Sequence, residues 1–451
     1  MKKLPCVAAV LCVYLSVGLC RAQTLTIENP KAKVVMSLTG GTTTSFLLKS
    51  QNLSPFHALG HFICFDRWGP SSPEDLARGI PQHGEAHVTK WTLDTAPKEE
   101  ANAYVAELSC LLPIMKLKID RTIHFDKNEA VYQVTDKISN PNAIKQVFNL
   151  VQHVTLGAPF LDSTTIVDTK VSQGFWQSGV VPPTGSAILG WPQVNLGGKA
   201  LNLQFQHPVD LPNDYVVSYA LPPADTFGWV TAINKSKKLL IGYVWLNAES
   251  SWINFWSNTS QVARGLEFGT GGLHQPWPAV IQMGSIFNLP IYEYVTPGTP
   301  ITKSFTAFLA EIPIDFKGVS QVAYQKDKIT ITETGGIGAR TIVIPFTING
   351  ATAVRQPAPG AENAPSFTFA SKTVSGSAQF TLRYSLAASQ RVVLELFSAQ
   401  GRKICNLLDG VEQPGMHTVV RSLPRLTGGM YICRMKIGER ETRVSAAAFM
   451  R

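Results

Sequence analysis

Beyond residue 23 the sequence has no apolar run long enough to read as a membrane-spanning helix. Sustained helical periodicity is nearly absent too, which excludes a helical bundle or coiled coil. Charge is sparse, at 16% Asp, Glu, Lys and Arg. The cations are scattered and no nucleic-acid motif accompanies them, so a nucleic-acid partner is not expected. Cysteine is scarce after residue 23, where only Cys64, Cys110, Cys405 and Cys433 occur. In an oxidising compartment these four can pair in three ways, Cys64–Cys110 with Cys405–Cys433 among them, and spacing does not choose. The pair Cys405–Cys433 is expected because "KICNL" and "YICRM" are strand-like runs of one small domain.

What is present is apolar content: 45% of 451 residues, enough for two or three domains with their own cores and too much for a disordered chain. Residues 1–23 combine Lys2 and Lys3 with an apolar run from Val7 to Leu19 and then Cys20, Arg21 and Ala22, the layout of a secretory signal. Leu19 stands where a lipoprotein signal places a small residue, which argues against a lipid on Cys20. Cleavage would remove the three cations Lys2, Lys3 and Arg21 and lower the formal charge from +9 to +6.

From Leu25 onward, short β-branched and aromatic runs of period two alternate with Gly, Pro, Asn and Asp punctuation, as in "AVYQVTDKISNPN", "KLLIGYVWLNAESSWINFW" and "KSFTAFLAEIP". The pattern predicts an all-β protein. The best helix candidate is "SPEDLARGI", with Ser72 as N-cap and Gly79 as stop. A Pro-, Ala- and Gly-rich break over residues 349–366 reads as a linker. After it, "AQFTLRYSL", "RVVLELFSAQGRKICNLL" and "GGMYICRMKIG" are spaced like the strands of a small β-sandwich. Two further runs, "KITITET" and "TIVIPFTI", fall in residues 316–348, whose domain membership the sequence leaves open.

The densest cluster of chemistry is "GIPQHGEAHVTKW" at residues 79–91. In a strand, His83, Glu85 and His87 would share one face. A zinc-protease motif needs a helix, which Gly79, Pro81 and Gly84 oppose. A metal site joining Glu85, His87 and His274 fits no strong ligand spacing, so neither metal nor cofactor is expected.

Four motifs in order give the region Leu25 to Pro313 a resemblance to the galactose-mutarotase-like superfamily, the aldose 1-epimerases and their relatives. "QHG" at residues 82–84 with the following Trp91 resembles the family's first His motif, and "FNLVQHVTLGAPF" at 148–160 its second. "ARGLEFGTG" at 263–271 resembles the strand bearing the family's glutamate, and "VTPGTPITKSFTAF" at 295–308 its closing turn and strand. The resemblance implies a large antiparallel β-supersandwich with a sugar cleft on its concave face. It also implies a glutamate that removes the anomeric hydroxyl proton while a histidine protonates the ring oxygen. Carried over, Glu267 is the base, His153 the acid, and His83 a second histidine holding the anomeric oxygen. Opening a hemiacetal demands such an acid and base about the anomeric carbon, and a histidine and a partly buried carboxylate suit the exchange.

The chain departs from the family in placing His153 in "QHVT" without the usual flanking Asn and aromatic. It also has "GHFICFDRWG" at residues 60–69 where the family has an Asn-x-x-Gly-Arg segment that grips sugar hydroxyls. Arg67 is the candidate replacement contact. Of Trp176, Trp191, Trp229, Trp245, Trp252, Trp256 and Trp277, the candidates for stacking on sugar faces are Trp176 and Trp277, which both sit in Gly- or Pro-punctuated loops rather than inside strands. Glu267 lies between Leu266 and Phe268, so in a strand it faces away from both.

Residues 364–451 resemble, along their whole length, the sorting domains of the type IX secretion system. "LELFSAQGRKICNLLDGVEQPGMHTVV" followed by "LTGGMYICRMKIGERETRVSAAAFMR" carries that family's order of motifs. The resemblance implies a bacterium with an outer membrane and export to the surface or medium.

The sequence thus predicts a signal at 1–23, a supersandwich at 24–315, a strand-bearing extension and linker at 316–363, and a sorting sandwich at 364–451. The expected function is interconversion of sugar anomers, with non-catalytic glycan binding in the same cleft as the alternative. The expected partners are a mono- or oligosaccharide and the secretion machinery.

Overall fold

The computed structural model describes residues 24–205, 214–258, 260–325, 327–346 and 367–449 apart from 375–376, 387, 399–402, 414, 424–425, 427–428 and 439–440. The expected signal at 1–23 and the linker at 349–366 lie outside the described residues. The described residues are all β, with two short α-helices and one 3-10 turn, Gly185–Ala187. None of the described helices is long and apolar enough to cross a membrane. The chain divides into two compact units, one within residues 1–354 and one within 355–451.

Two large antiparallel sheets build the first unit. In the first sheet the strand order is Thr24–Glu28, Ala32–Ser37, Thr42–Leu48, Phe56–Asp66, Gln146–Gly157, Ala263–Gly269, Trp252–Asn258, Asp214–Ala220 and Gly174–Trp176. Residues Glu293–Val295 add to the far end of Gln146–Gly157. In the second sheet the order is Ile166–Thr169, Phe227–Asn234, Leu239–Leu246, Ile301–Glu311, Val131–Ser139, Lys118–Asp126, Ala103–Leu111 and Thr92–Glu99.

The alternation read in the sequence decides which face of each strand is buried. Leu150, Val154, Leu266 and Phe268 of the first sheet join Tyr132, Val134, Tyr243, Trp245 and Phe305 of the second in one core. Trp245 stacks on Phe268 at 4.1 Å between centroids. The charged side chains Arg121 and Asp136 inside that core are paired. Arg121 binds Asp136 through both carboxylate oxygens (2.7 and 2.8 Å), and Gln152 reaches Asp136 (3.3 Å) and His61 (3.1 Å). Full partnering of this kind is what makes buried charge tolerable.

The stretch whose membership the sequence left open forms a three-stranded sheet, Val319–Tyr324, Lys328–Glu333 and Thr341–Pro345. Phe316, Val322, Ile329, Ile331 and Ile344 pack with Val131, Trp229, Leu240, Val244 and Phe308 of the second sheet. It therefore belongs to the first unit and covers that sheet's outer face. "KLLIGYVWLNAESSWINFW" proves to be two strands in different sheets, Leu239–Leu246 in the second and Trp252–Asn258 in the first.

The predicted helix is Pro73–Ala77. Ser72 caps it, Asp75 completes a capping box, and Gly79 takes φ 80° just beyond. The second helix, Trp277–Met283, has no counterpart in the sequence reading.

The second unit contains a three-stranded sheet, Phe367–Val374, Ser377–Leu386 and Gly415–Leu423, and a four-stranded one in the order Lys403–Glu412, Gln390–Ser398, Gly429–Ile437 and Glu441–Phe449. Phe380, Leu382, Val392, Leu394, Leu396 and Met435 form its core.

The expected Cys405–Cys433 disulfide is corrected: all four described cysteines are free. Cys405 and Cys433 are both opposite Leu396, on the two strands flanking it. Their backbones are two strand spacings apart, ~9.5 Å, beyond the ~7 Å reach of a disulfide. Cys64 packs with Trp68 and Val151, whereas Cys110 lies in the core between the sheets.

Candidate functional site

A cleft of about 840 Å³ opens on the face of the first sheet turned away from the core. It is built from one transverse row of side chains, one per strand. Ser37 is opposite Thr42, and the pairing of Thr43 with His61 puts Thr42 beside Phe62. Phe62 is opposite His153, His153 is opposite Glu267, and the row runs on into buried Asn254 and Ser218. Directly paired residues share a face, so register alone brings Glu267 and His153 together.

His153 Nε2 lies 3.3 Å from Glu267 Oε1, with both side chains almost fully buried. His153 Nδ1 is 3.1 Å from Thr155 Oγ1 on the same strand face. Trp68 Nε1 donates to Glu267 Oε2 at 2.6 Å, and Phe62 stacks on the His153 ring at 4.2 Å. A Cβ at position 265 would sit 2.8 Å from Glu267 Oε1, so Gly265 leaves the carboxyl its space. Trp256 closes that side, its indole N–H donating to Asp214 and its ring 5.9 Å from His153.

The "GIPQHGEAHVTKW" stretch is a turn rather than a strand, and its three polar side chains do not share a face. Gly84 at φ 81° presses against the backbone of Phe65 and Asp66, where any Cβ would meet atoms at 2.5 Å. Glu85 turns the other way and accepts N–H bonds from Ile114 (2.7 Å) and Met115 (2.8 Å), anchoring the turn. His83 and His87 are thereby delivered into the cleft, the His83 ring 5.5 Å from His153 and 5.7 Å from His274. Gln177 holds the opposite wall by accepting from His274 N and donating to Gly272 O, both at 2.9 Å. Among the described residues, no three His, Cys, Asp or Glu side chains are grouped to hold a metal ion.

Burial sets the protonation of the pair. It raises the Glu267 carboxyl to about 8 against the opposing Trp68 hydrogen bond, with the Asp214 charge adding to the rise. It lowers His153 to about 3 and His274 to about 4, and drives His83 well below the ordinary imidazole range. Between about 3 and about 8 the Glu267–His153 pair holds a single proton. Both one-proton forms are hydrogen-bonded. With the proton on Glu267 the carboxyl donates to Nε2 and Nδ1–H to the Thr155 hydroxyl; with it on His153 the imidazolium donates through Nε2–H to the carboxylate and through Nδ1–H to the Thr155 hydroxyl.

Three of the six residues singled out from sequence, Glu267, His153 and His83, line the cleft together. The other three do not. Arg67 is buried and binds Asp66 (3.0 Å) and Asp75, so its guanidinium is spent inside the fold. Trp176 pairs with Val217 and packs on the core, on the face opposite cleft-lining Gln177. Trp277 opens the second helix, packed against Tyr292. The indoles that serve the site are Trp68 and Trp256.

Neither a family model nor a curated protein matches the chain. Solved structures similar to residues of this chain include a galactose mutarotase related enzyme from Lactobacillus acidophilus (13% identity, TM-score 0.47, covering 64% of this chain and 98% of that one). A galactose mutarotase-like protein from Lactobacillus casei has 16% identity and a TM-score of 0.45, over 64% of this chain and 100% of that one. Another from Clostridium acetobutylicum has 11% identity and a TM-score of 0.48, over 64% and 95%.

Proposed function

We propose that the first unit interconverts the anomers of an aldose at Glu267 and His153. The observation that carries this reading is their contact, at 3.3 Å, on neighbouring strands at the cleft. The anomeric hydroxyl and the ring oxygen are bonded to the same carbon, so donor and acceptor groups this close serve both. In the form with the proton on His153, Glu267 takes the hydroxyl proton as the bond from the anomeric carbon to the ring oxygen breaks, and His153 protonates that oxygen. The products are the open aldehyde and the pair with its proton on Glu267. Rotation of the aldehyde and reversal of the two transfers closes the ring on the other face and restores the starting form. The pair thus cycles between its two one-proton forms. His83, across the cleft, holds the anomeric oxygen.

Glu267→Gln keeps shape and removes the base, and anomer exchange followed by polarimetry or NMR is expected to fall by roughly 10² to 10⁴ with folding intact. His153→Asn does likewise, His83→Asn costs less, and the double replacement of Glu267 and His153 costs far less than the two losses combined. Undiminished exchange in Glu267→Gln overturns the assignment. A parent that binds sugars without exchanging anomers leaves a glycan-binding cleft instead.

We also propose that the chain is exported through its first 23 residues and residues 364–451, in a bacterium with an outer membrane. The signal layout and the ordered motifs of the C-terminal region support this reading.

A further inference from the structure

The cleft is larger and longer than its proton-exchanging pair requires. From Glu267 to Thr42 the row crosses three strand spacings, ~14 Å, more than one pyranose ring spans. Beyond Phe62 the lining changes from aromatic and imidazole rings to hydroxyls, those of Ser37, Thr39, Thr42 and Thr44. This end is open. Ala58 and Leu59 at its rim are exposed, in a bulge where the register with Gln146–Gly157 shifts between Phe56 and His61. Gly60 at φ 67° makes that bulge possible, since a Cβ there would meet the Thr43 carbonyl at 2.5 Å. The bulge therefore sits where the cleft continues past the pair.

Charge narrows what can lie there. Among the described lining residues two are carboxylic, Asp214 and Glu267, and none is Lys or Arg. A carboxylate or phosphate on the ligand would find no cation and would be repelled by Asp214. Hydroxyls, amides and flat rings are what an uncharged sugar uses.

We infer that the cleft takes an uncharged glycan of at least two sugar units, its reducing end at Glu267 and His153 and its next unit along Phe62, Thr42 and Thr44. The inference rests on the reading of the cleft as a sugar site. It is tested by calorimetric or NMR titration of the full chain with glucose, galactose, cellobiose, maltose, lactose and their trisaccharide homologues, together with glucuronic acid and glucose 6-phosphate. At least one neutral disaccharide is expected to bind about tenfold or more tighter than its reducing-end monosaccharide, and both anionic sugars more weakly than glucose. Ala58→Trp fills the open end from an exposed position, and Thr42→Val with Thr44→Val removes the hydroxyls while keeping strand-favouring shape. Each is expected to bring the ratio of disaccharide to monosaccharide affinity toward one. No preference for any disaccharide overturns the second unit, and glucuronic acid or glucose 6-phosphate binding as tightly as glucose overturns the uncharged ligand. Either failure with anomer exchange intact leaves the proposed activity standing, whereas no binding of any sugar in the panel sinks both.

Discussion

At the scale of single residues, the shared proton of Glu267 and His153 sets the pH dependence expected of the proposed reaction. A second proton joins the pair near pH 3 and the only one leaves near pH 8. Anomer exchange is therefore expected to hold level between those values and to fall above about 8, with both limits belonging to the pair. Trp68 donates to the Glu267 carboxylate and so favours its charged form. Trp68→Phe should raise the carboxyl further and move the alkaline limb of the rate profile to higher pH, a shift that loss of packing alone would not produce. An unmoved limb would count against this role. Glu267 and His153 were singled out through the ordered motifs that carry them, "ARGLEFGTG" and "FNLVQHVTLGAPF", and for Glu267 the apolar neighbours Leu266 and Phe268 also declare its face. Trp68 was not, because its partner is 199 residues away and nothing local marks an indole as a donor to it. Arg67, next to it, was misread for a different reason: its carboxylate partners Asp66 and Asp75 are near in sequence, but Asp75 reaches it only once the Pro73–Ala77 helix is in place.

At the scale of elements, the sequence spoke clearly where the chemistry is local. The capping box at Ser72 and Asp75 and the stop at Gly79 were readable because each satisfies backbone groups within a few residues. Ser72→Ala should cost about 1 kcal/mol of stability. Asp75→Ala should cost more, about 3 kcal/mol, since it also deprives the buried Arg67 of a partner; urea unfolding orders the two. The Trp277–Met283 helix went unread because seven residues after Pro276 offer too few turns for a period to emerge. Pairing across strands was equally hidden in the case of the thiols. Labelling of the unfolded, unreduced protein is expected to modify Cys64, Cys110, Cys405 and Cys433 alike, and protection of Cys405 together with Cys433 would contradict the strand order around Leu396.

At the scale of the whole molecule, each unit has its own core, so either can be removed without opening the other. Deleting residues 364–451 should leave the first unit folded and able to exchange anomers, but retained in the cell envelope. Cell fractionation decides this, and normal display of the shortened chain would end the proposed role of the second unit in export. The all-β class was legible from period-two runs throughout. Which runs share a sheet was not, because "KLLIGYVWLNAESSWINFW" turns a corner between sheets that its composition does not announce. The order of strands also governs when the cleft can be completed during synthesis. Ile301–Glu311 lies in the interior of the second sheet, joining Leu239–Leu246 to Val131–Ser139. The core behind the cleft therefore stays open until almost the whole first unit has left the ribosome. Contacts so distant in sequence form slowly, and in refolding the recovery of anomer exchange should trail the recovery of strand signal, making catalysis a late reporter of the native state.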